Sequence, residues 1–244
     1  MAGEVPEGLE LPELDVRLLD PPYDVPGYRS TTLRAPSHAP LVLPPSPADA
    51  FGPVFGEGTV GPTDHDLTCQ HDEEPIGQRM TIEGRLLDAG GRPIAGQLLE
   101  VWQANAAGRY RHEIDDHPAP LDPNFSGYGR CLTDSAGRYR FVTIRPGSYP
   151  WGNHPNAWRP AHVHFSVFGR AFTQRLVTQM YFPDDPLLAL DTIFNAVTTP
   201  DARASMLASF DLARTEPQRS LGYRFDIVLG APGVDDATSD GWSA

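Results

Sequence analysis

From Gln78 onward, apolar and polar residues alternate in short runs that stop at glycine, aspartate or proline, a pattern suited to extended strands joined by tight turns. Met80, Ile82 and Leu86 fall on even positions before a turn at Ala89-Gly90-Gly91, and Ile94–Gln103 reads as the returning strand of a hairpin. Arg130–Thr133, the turn Asp134-Ser135-Ala136-Gly137 and Arg138–Ile144 read as a second strand pair. Further strands are expected over 161–168, 174–182 and 222–229. One helix is expected, from Pro200 at a first-turn position through Ala202, Met206 and Phe210 to about Ala213. So many short strands predict a mostly β chain, a sandwich or a barrel, with long loops and one short C-terminal helix.

Residues 1–75 obey a different pattern. Asp20-Pro21-Pro22-Tyr23, Leu43-Pro44-Pro45-Ser46-Pro47 and Phe51-Gly52-Pro53 have no apolar periodicity, so this stretch is expected as an extended N-terminal arm. Its scattered Tyr23, Tyr28, Phe51 and Phe55 suit a strap laid over a neighbouring surface. Residues 76–244 are then expected to form a single globular domain.

A formal charge of −13 and a pI near 4.9 argue against nonspecific binding to nucleic acid or to an anionic membrane. All 19 basic residues are arginine, so an arginine here is weak evidence for an anion clamp. Cys69 and Cys131 are too few for a disulfide framework and read as small buried hydrophobes in a reduced, cytoplasmic protein. The N-terminus lacks the basic and apolar regions of a secretion signal, and no apolar run is long enough to span a bilayer.

Ala161-His162-Val163-His164-Phe165 is the segment that points to chemistry. In a strand, residues i and i+2 share a face, so His162 and His164 can hold one ion while Val163, Phe165 and Val167 enter the core. Taken alone, the pair does not choose among zinc, copper, iron and an ordinary half-buried strand. No carboxylate lies in that strand to complete a two-histidine, one-carboxylate face. Tyr149, in the rigid loop Pro146-Gly147-Ser148-Tyr149-Pro150-Trp151, and Tyr110, in Gly108-Arg109-Tyr110-Arg111-His112, offer phenols instead. A phenol of pKa about 10 must lose its proton to ligate, which favours a ferric ion over a divalent one.

Several segments, Leu99-Glu100-Val101-Trp102-Gln103-Ala104-Asn105, Gly108-Arg109-Tyr110-Arg111-His112, Tyr149-Pro150-Trp151, Trp158-Arg159-Pro160-Ala161-His162-Val163-His164-Phe165 and Tyr223-Arg224-Phe225-Asp226, together resemble the intradiol ring-cleaving dioxygenases. The resemblance runs from about Tyr28 to Leu229 and implies an antiparallel, prealbumin-like β-sandwich. It implies non-haem Fe(III) held by Tyr110, Tyr149, His162 and His164, with Tyr149 the ligand that leaves when substrate binds. Tyr110 is selected by the resemblance alone, since a loop tyrosine between two arginines could equally stack on them.

The resemblance further implies Arg159 and Gln179 flanking the substrate ring, with Tyr28, Arg34 and Arg159 receiving the substrate. Arg34, Arg109, Arg111 and Arg159 would offset the chain's negative charge toward an anion. The expected reaction cleaves protocatechuate (3,4-dihydroxybenzoate), a small aromatic dihydroxy acid, with O2 to 3-carboxy-cis,cis-muconate, a step of aromatic catabolism in the β-ketoadipate pathway. The expected partner is an α subunit in an αβ hetero-oligomer. The alternatives are a catechol or hydroxyquinol 1,2-dioxygenase, or a non-catalytic prealbumin-like binding module. Trp102, Trp158, Tyr181 and Tyr223 are expected to pack, and His65, His71, His112 and His117 are left outside the site.

Overall fold

A computed structural model of the chain describes residues 22–38, 60–88, 90–168 and 176–229. Phe51, Phe55 and Ala89, invoked above for the strap and for one turn, lie outside these residues.

The molecule is mostly β, with two larger sheets sharing one core. The first is built on the strand β1 (Arg79–Asp88). One edge of β1 pairs antiparallel with β4 (Arg138–Ile144) over Arg79–Arg85. Its other edge pairs in parallel with β10 (Leu221–Arg224) and then β11 (Ile227–Leu229), while β9 (Ser209–Phe210) pairs with β10. These parallel pairs depart from the antiparallel sandwich expected from the resemblance. The second sheet runs β3-β2-β7-β8, antiparallel throughout, from β3 (Tyr128–Leu132), β2 (Leu98–Trp102), β7 (His162–Val167) and β8 (Leu176–Tyr181). A separate two-stranded ribbon joins β5 (Tyr149–Pro150) to β6 (Trp158–Arg159).

Period-two alternation places the core as expected. Met80, Ile82 and Leu86 from the first sheet meet Val163, Phe165 and Val167 from the second, all fully enclosed, and Phe141 stands edge-on to Phe165. Full burial of each such side chain is worth about 1.5–3 kcal/mol, so the odd-numbered face of β7 is firmly committed to the core.

Strand partners were harder to read. The turn after β1 forms, with Asp88 N donating to Arg92 O and Ile94 N to Leu86 O. The chain makes only an isolated bridge there, Leu87 to Pro93, before β2 crosses to the other sheet. The turn at Asp134–Gly137 forms too, but β3 and β4 diverge from it into different sheets. The expected strand over 222–229 is broken at Phe225-Asp226, where Phe225 N bonds to Glu83 O and Asp226 accepts from Arg85 N.

The expected C-terminal helix is shorter and has company. α1 spans Arg29–Arg34, α2 Thr192–Ala196 and α3 Pro200–Ser205. Thr199 caps α3 through Ala202 N. The helix stops because β8 captures the next residues: Tyr181 N donates to Met206 O and Ala208 N to Tyr181 O. Met206 and Phe210 therefore do not continue it.

Part of the segment read as an arm is held against the rest of the chain. Leu67 is fully buried in the core, and Asp66 forms a bridge to Val142. Buried Asn153 grips the segment before α1 twice, accepting from Arg29 N and donating to Gly27 O, both at 2.8 Å. Cys131 is buried as expected, but Cys69 is exposed, and the two are unpaired. Among the described residues, no helix is long and apolar enough to cross a membrane.

Candidate functional site

β7 lies between β2 and β8, so the face opposite its core residues is the only place its histidines can go. His162 is 2% exposed, and its Nε2 stands 3.2 Å from Nε2 of His164. His162 Nδ1 lies 2.7 Å from Pro160 O. A carbonyl can only accept, so that nitrogen carries the proton and Nε2 presents a lone pair. His164 is paired across the sheet with Trp102, and the two rings stack at 4.6 Å, 4° from parallel. Burial first, and then the charge of Arg159, push His162 well below the usual imidazole range and His164 down to about 3. Both rings are therefore neutral at neutral pH, the form that binds metals.

The two tyrosines arrive on separate loops forced together by glycines. Asn105 closes the first loop, with its side-chain oxygen accepting from Ala107 N and Arg109 N and its backbone oxygen from Gly147 N. Gly108, at φ 79°, sits so close to the second loop that a Cβ would lie 2.1 Å from Ser148 O. At Gly147 a Cβ would lie 2.5 Å from Ala106 O. This contact sets the Tyr110 and Tyr149 rings 5.4 Å apart, edge to face. Tyr149 Oη is 3.4 Å from His162 Nε2, and the Tyr110 ring is 6.4 Å from that of His164. The Tyr110 backbone is held by Asp115, which accepts from its N–H at 2.8 Å.

Tyr110, Tyr149, His162 and His164 are thus side by side, and their chemistry fits a metal. Tyr110 Oη is buried with no hydrogen-bond partner, an expensive state for a hydroxyl unless something else satisfies it. Burial raises the Tyr110 phenol well above its usual value, with Tyr149 adding to the shift, and burial likewise raises Tyr149. A phenolate at either position needs a strong cation beside it. Among the described residues no group of three or more His, Cys, Asp and Glu side chains is placed to share an ion.

Arg159 faces Tyr149 across the β5–β6 ribbon and is 3% exposed. Its Nη2 donates to Gln179 Oε1 at 2.5 Å and to Tyr181 Oη at 3.0 Å. Asp191, 1% exposed, accepts from Nε at 3.2 Å and lies 3.1 Å from Nη2. Trp151 lies under the guanidinium at 5.6 Å, and Tyr28 meets Trp151 edge-on at 5.4 Å. Tyr28 reaches the site through that ring. Arg34 is exposed, stacks on Tyr28 and donates to Ser30 O.

Of the four arginines expected to offset the chain's charge toward an anion, Arg109 and Arg111 bond to loop carbonyls instead. Arg109 Nη1 donates to Ala119 O, and Arg111 Nη2 donates to the carbonyls of Asp122 and Pro123. Both brace the loop beyond Tyr110. Sequence reasoning also missed Asp191, and it read Tyr181 and Trp102 as packing alone, although one bonds Arg159 and the other stacks on His164. Trp158 is 39% exposed and is not a core residue. Nothing in local pattern could have singled out Asp191, which is 32 residues from Arg159.

A family model described as "Dioxygenase" matches residues 50–231, and one described as "Protocatechuate 3,4-dioxygenase beta subunit N terminal" matches residues 21–46. The chain is 57% identical to a protocatechuate 3,4-dioxygenase beta chain of Burkholderia cepacia, over 86% of this chain and 89% of that one. It is 27% identical to a protocatechuate 3,4-dioxygenase alpha chain of Pseudomonas putida, over 79% of this chain and 94% of that one. Among solved structures it is similar to 3-chlorocatechol 1,2-dioxygenase from Rhodococcus opacus 1CP, with a TM-score of 0.54 and 28% identity over 72% of this chain and 69% of that chain.

Proposed function

The chain belongs to the intradiol ring-cleaving dioxygenases, and from that premise we propose that it opens protocatechuate with O2 to 3-carboxy-cis,cis-muconate. Both oxygen atoms enter the product, so the reaction balances without another reductant. The observation that carries this substrate is the 57% identity to a protocatechuate 3,4-dioxygenase beta chain. We read the two sheets as a prealbumin-like sandwich, residues 76–244 as its domain and residues 1–75 as an arm whose Leu67 is packed into that domain's core. The match of residues 21–46 to a beta-subunit N-terminal model supports assignment as the β chain of an assembly with an α chain. The same reading makes the protein cytoplasmic, in keeping with two unpaired cysteines.

Non-haem ferric iron is the cofactor of this reading, held by Tyr110, Tyr149, His162 and His164. When bound, it supplies the Lewis acidity and one-electron chemistry that let a catecholate react with O2. The chain's own residues do the rest. His162 and His164 stay neutral and oriented, one by Pro160 O and the other by the Trp102 face. Tyr149 would be the ligand that gives way to substrate, and its Oη, as a phenolate, would take a proton from a substrate hydroxyl. Arg159 lies across the ribbon from it and stabilises negative charge on the ring, help of a kind worth about 3–4 kcal/mol in preorganised sites. Gln179 flanks the ring beside Arg159, and Tyr28 with Arg34 receives the substrate carboxylate at the mouth.

Oxygen uptake by purified protein on protocatechuate, catechol and hydroxyquinol tests the proposal. Protocatechuate is expected to be consumed fastest, by a protein coloured through phenolate-to-iron charge transfer. A colourless preparation with stoichiometric zinc, or faster turnover of catechol, would sink it.

A further inference from the structure

We propose that Asp191 is the positioning residue for Arg159: a buried carboxylate that fixes the guanidinium beside Tyr149 and thereby sets the rate of ring opening. The inference rests on the ring-opening reading above.

Arg159 needs such a partner. It sits on a two-residue strand with a single strand neighbour, so the backbone alone does little to orient a long side chain with many rotamers. Three groups hold its head, but Gln179 and Tyr181 are neutral and bonded to each other. Within this network Asp191 alone supplies the opposite charge that a buried guanidinium requires. Its Oδ2 takes both Nε and Nη2, which leaves Nη1, on the other edge of the planar group, outside the network.

Asp191 is itself anchored. Its Oδ1 accepts from Ile193 N as the N-cap of α2, and its backbone oxygen accepts from Asn195 N and Asn195 Nδ2. The guanidinium is thus tied to the start of a helix and not to another mobile side chain. A cap alone would explain Oδ1 and leave Oδ2 without a purpose. Asparagine caps helices about as well as aspartate, so one substitution separates the two roles.

The test compares iron-loaded wild type, Asp191→Asn, Asn195→Ala and Arg159→Gln, each co-expressed with its α-type partner, together with the Arg159→Gln/Asp191→Asn double variant. Asp191→Asn is expected to keep its iron content and visible absorption while kcat on protocatechuate falls about a hundredfold and KM moves less than about threefold. Asn195→Ala removes one bond to the Asp191 carbonyl but keeps the Asn195 N bond, the Ile193 N cap and the ion pair, so it is expected to lower the melting temperature and leave kcat near wild type. In the Arg159→Gln background, Asp191→Asn is expected to cost little further activity.

A kcat for Asp191→Asn within about twofold of an active wild type would overturn the positioning role. So would an equal loss in Asn195→Ala, or iron content falling in step with activity. Should Asp191→Asn not fold, Asp191→Ser, which keeps a capping oxygen, replaces it; failure of both to fold would assign Asp191 to stability alone. Wild type that is inactive on protocatechuate would instead remove the functional reading on which the inference stands.

Discussion

At the scale of single residues, the site divides by how each side chain came to be placed. His162 and His164 were legible because period two is a property of the strand itself, and their neighbours Val163 and Phe165 are fully buried on the other face. Tyr110 was not legible: it lies on a loop whose course is decided by Asn105 and by close approach to Ser148. Its buried, unpartnered hydroxyl yields a sharp expectation. Tyr110→Phe removes one phenolate donor without adding volume, so the protein should fold while its iron affinity drops on the order of a hundredfold or more and its visible band shifts or disappears. Metal analysis after dialysis against a chelator, with the absorption spectrum, measures this. Iron retained with unchanged colour would remove Tyr110 from the ligand set.

At the scale of elements, turns were readable and partners were not. Asp134–Gly137 and the turn after β1 form where their residue types predict, because turn chemistry is local. Whether the flanking strands then pair depends on which sheet each completes, and here both pairs split between sheets. The helix expected to run to Ala213 ends at Ser205 for a similar reason, since pairing with Tyr181 outweighs the local propensity of residues 206–210. The contact between the two tyrosine loops is an element-scale device with its own test. Gly108→Ala places a methyl against Ser148 O at a left-handed backbone position, so about 2 kcal/mol or more of stability should be lost and the loops should separate. Urea unfolding and iron content should fall together. A variant as stable as wild type, with full iron content, would show that the loops do not depend on this glycine.

At the scale of the whole molecule, a chain of −13 charge keeps the two imidazoles of its site neutral by burying them. The folded imidazoles of His162 and His164 hold protons more weakly than the unfolded chain does, chiefly through burial and then through Arg159. Stability from this source is complete above the ordinary value of 6.5 and is lost as pH falls from there toward about 3 for His164. Iron-free protein should therefore lose up to about 1.4 kcal/mol per pH unit for each histidine below about pH 6.5. Urea midpoints between about pH 7.5 and 5 measure it. An identical slope in a His162→Gln/His164→Gln variant would refute the assignment. What the sequence determined by itself was whatever repeats at short range: strand character, the two-faced β7, the turns and the residue types offered to a metal. Tertiary structure decided the rest, namely which strands pair, which tyrosine stands beside which histidine, and that Asp191 holds Arg159. Those contacts join segments tens of residues apart, and they are selected by burial and charge compensation across the assembled sheets, forces that no local window of sequence contains.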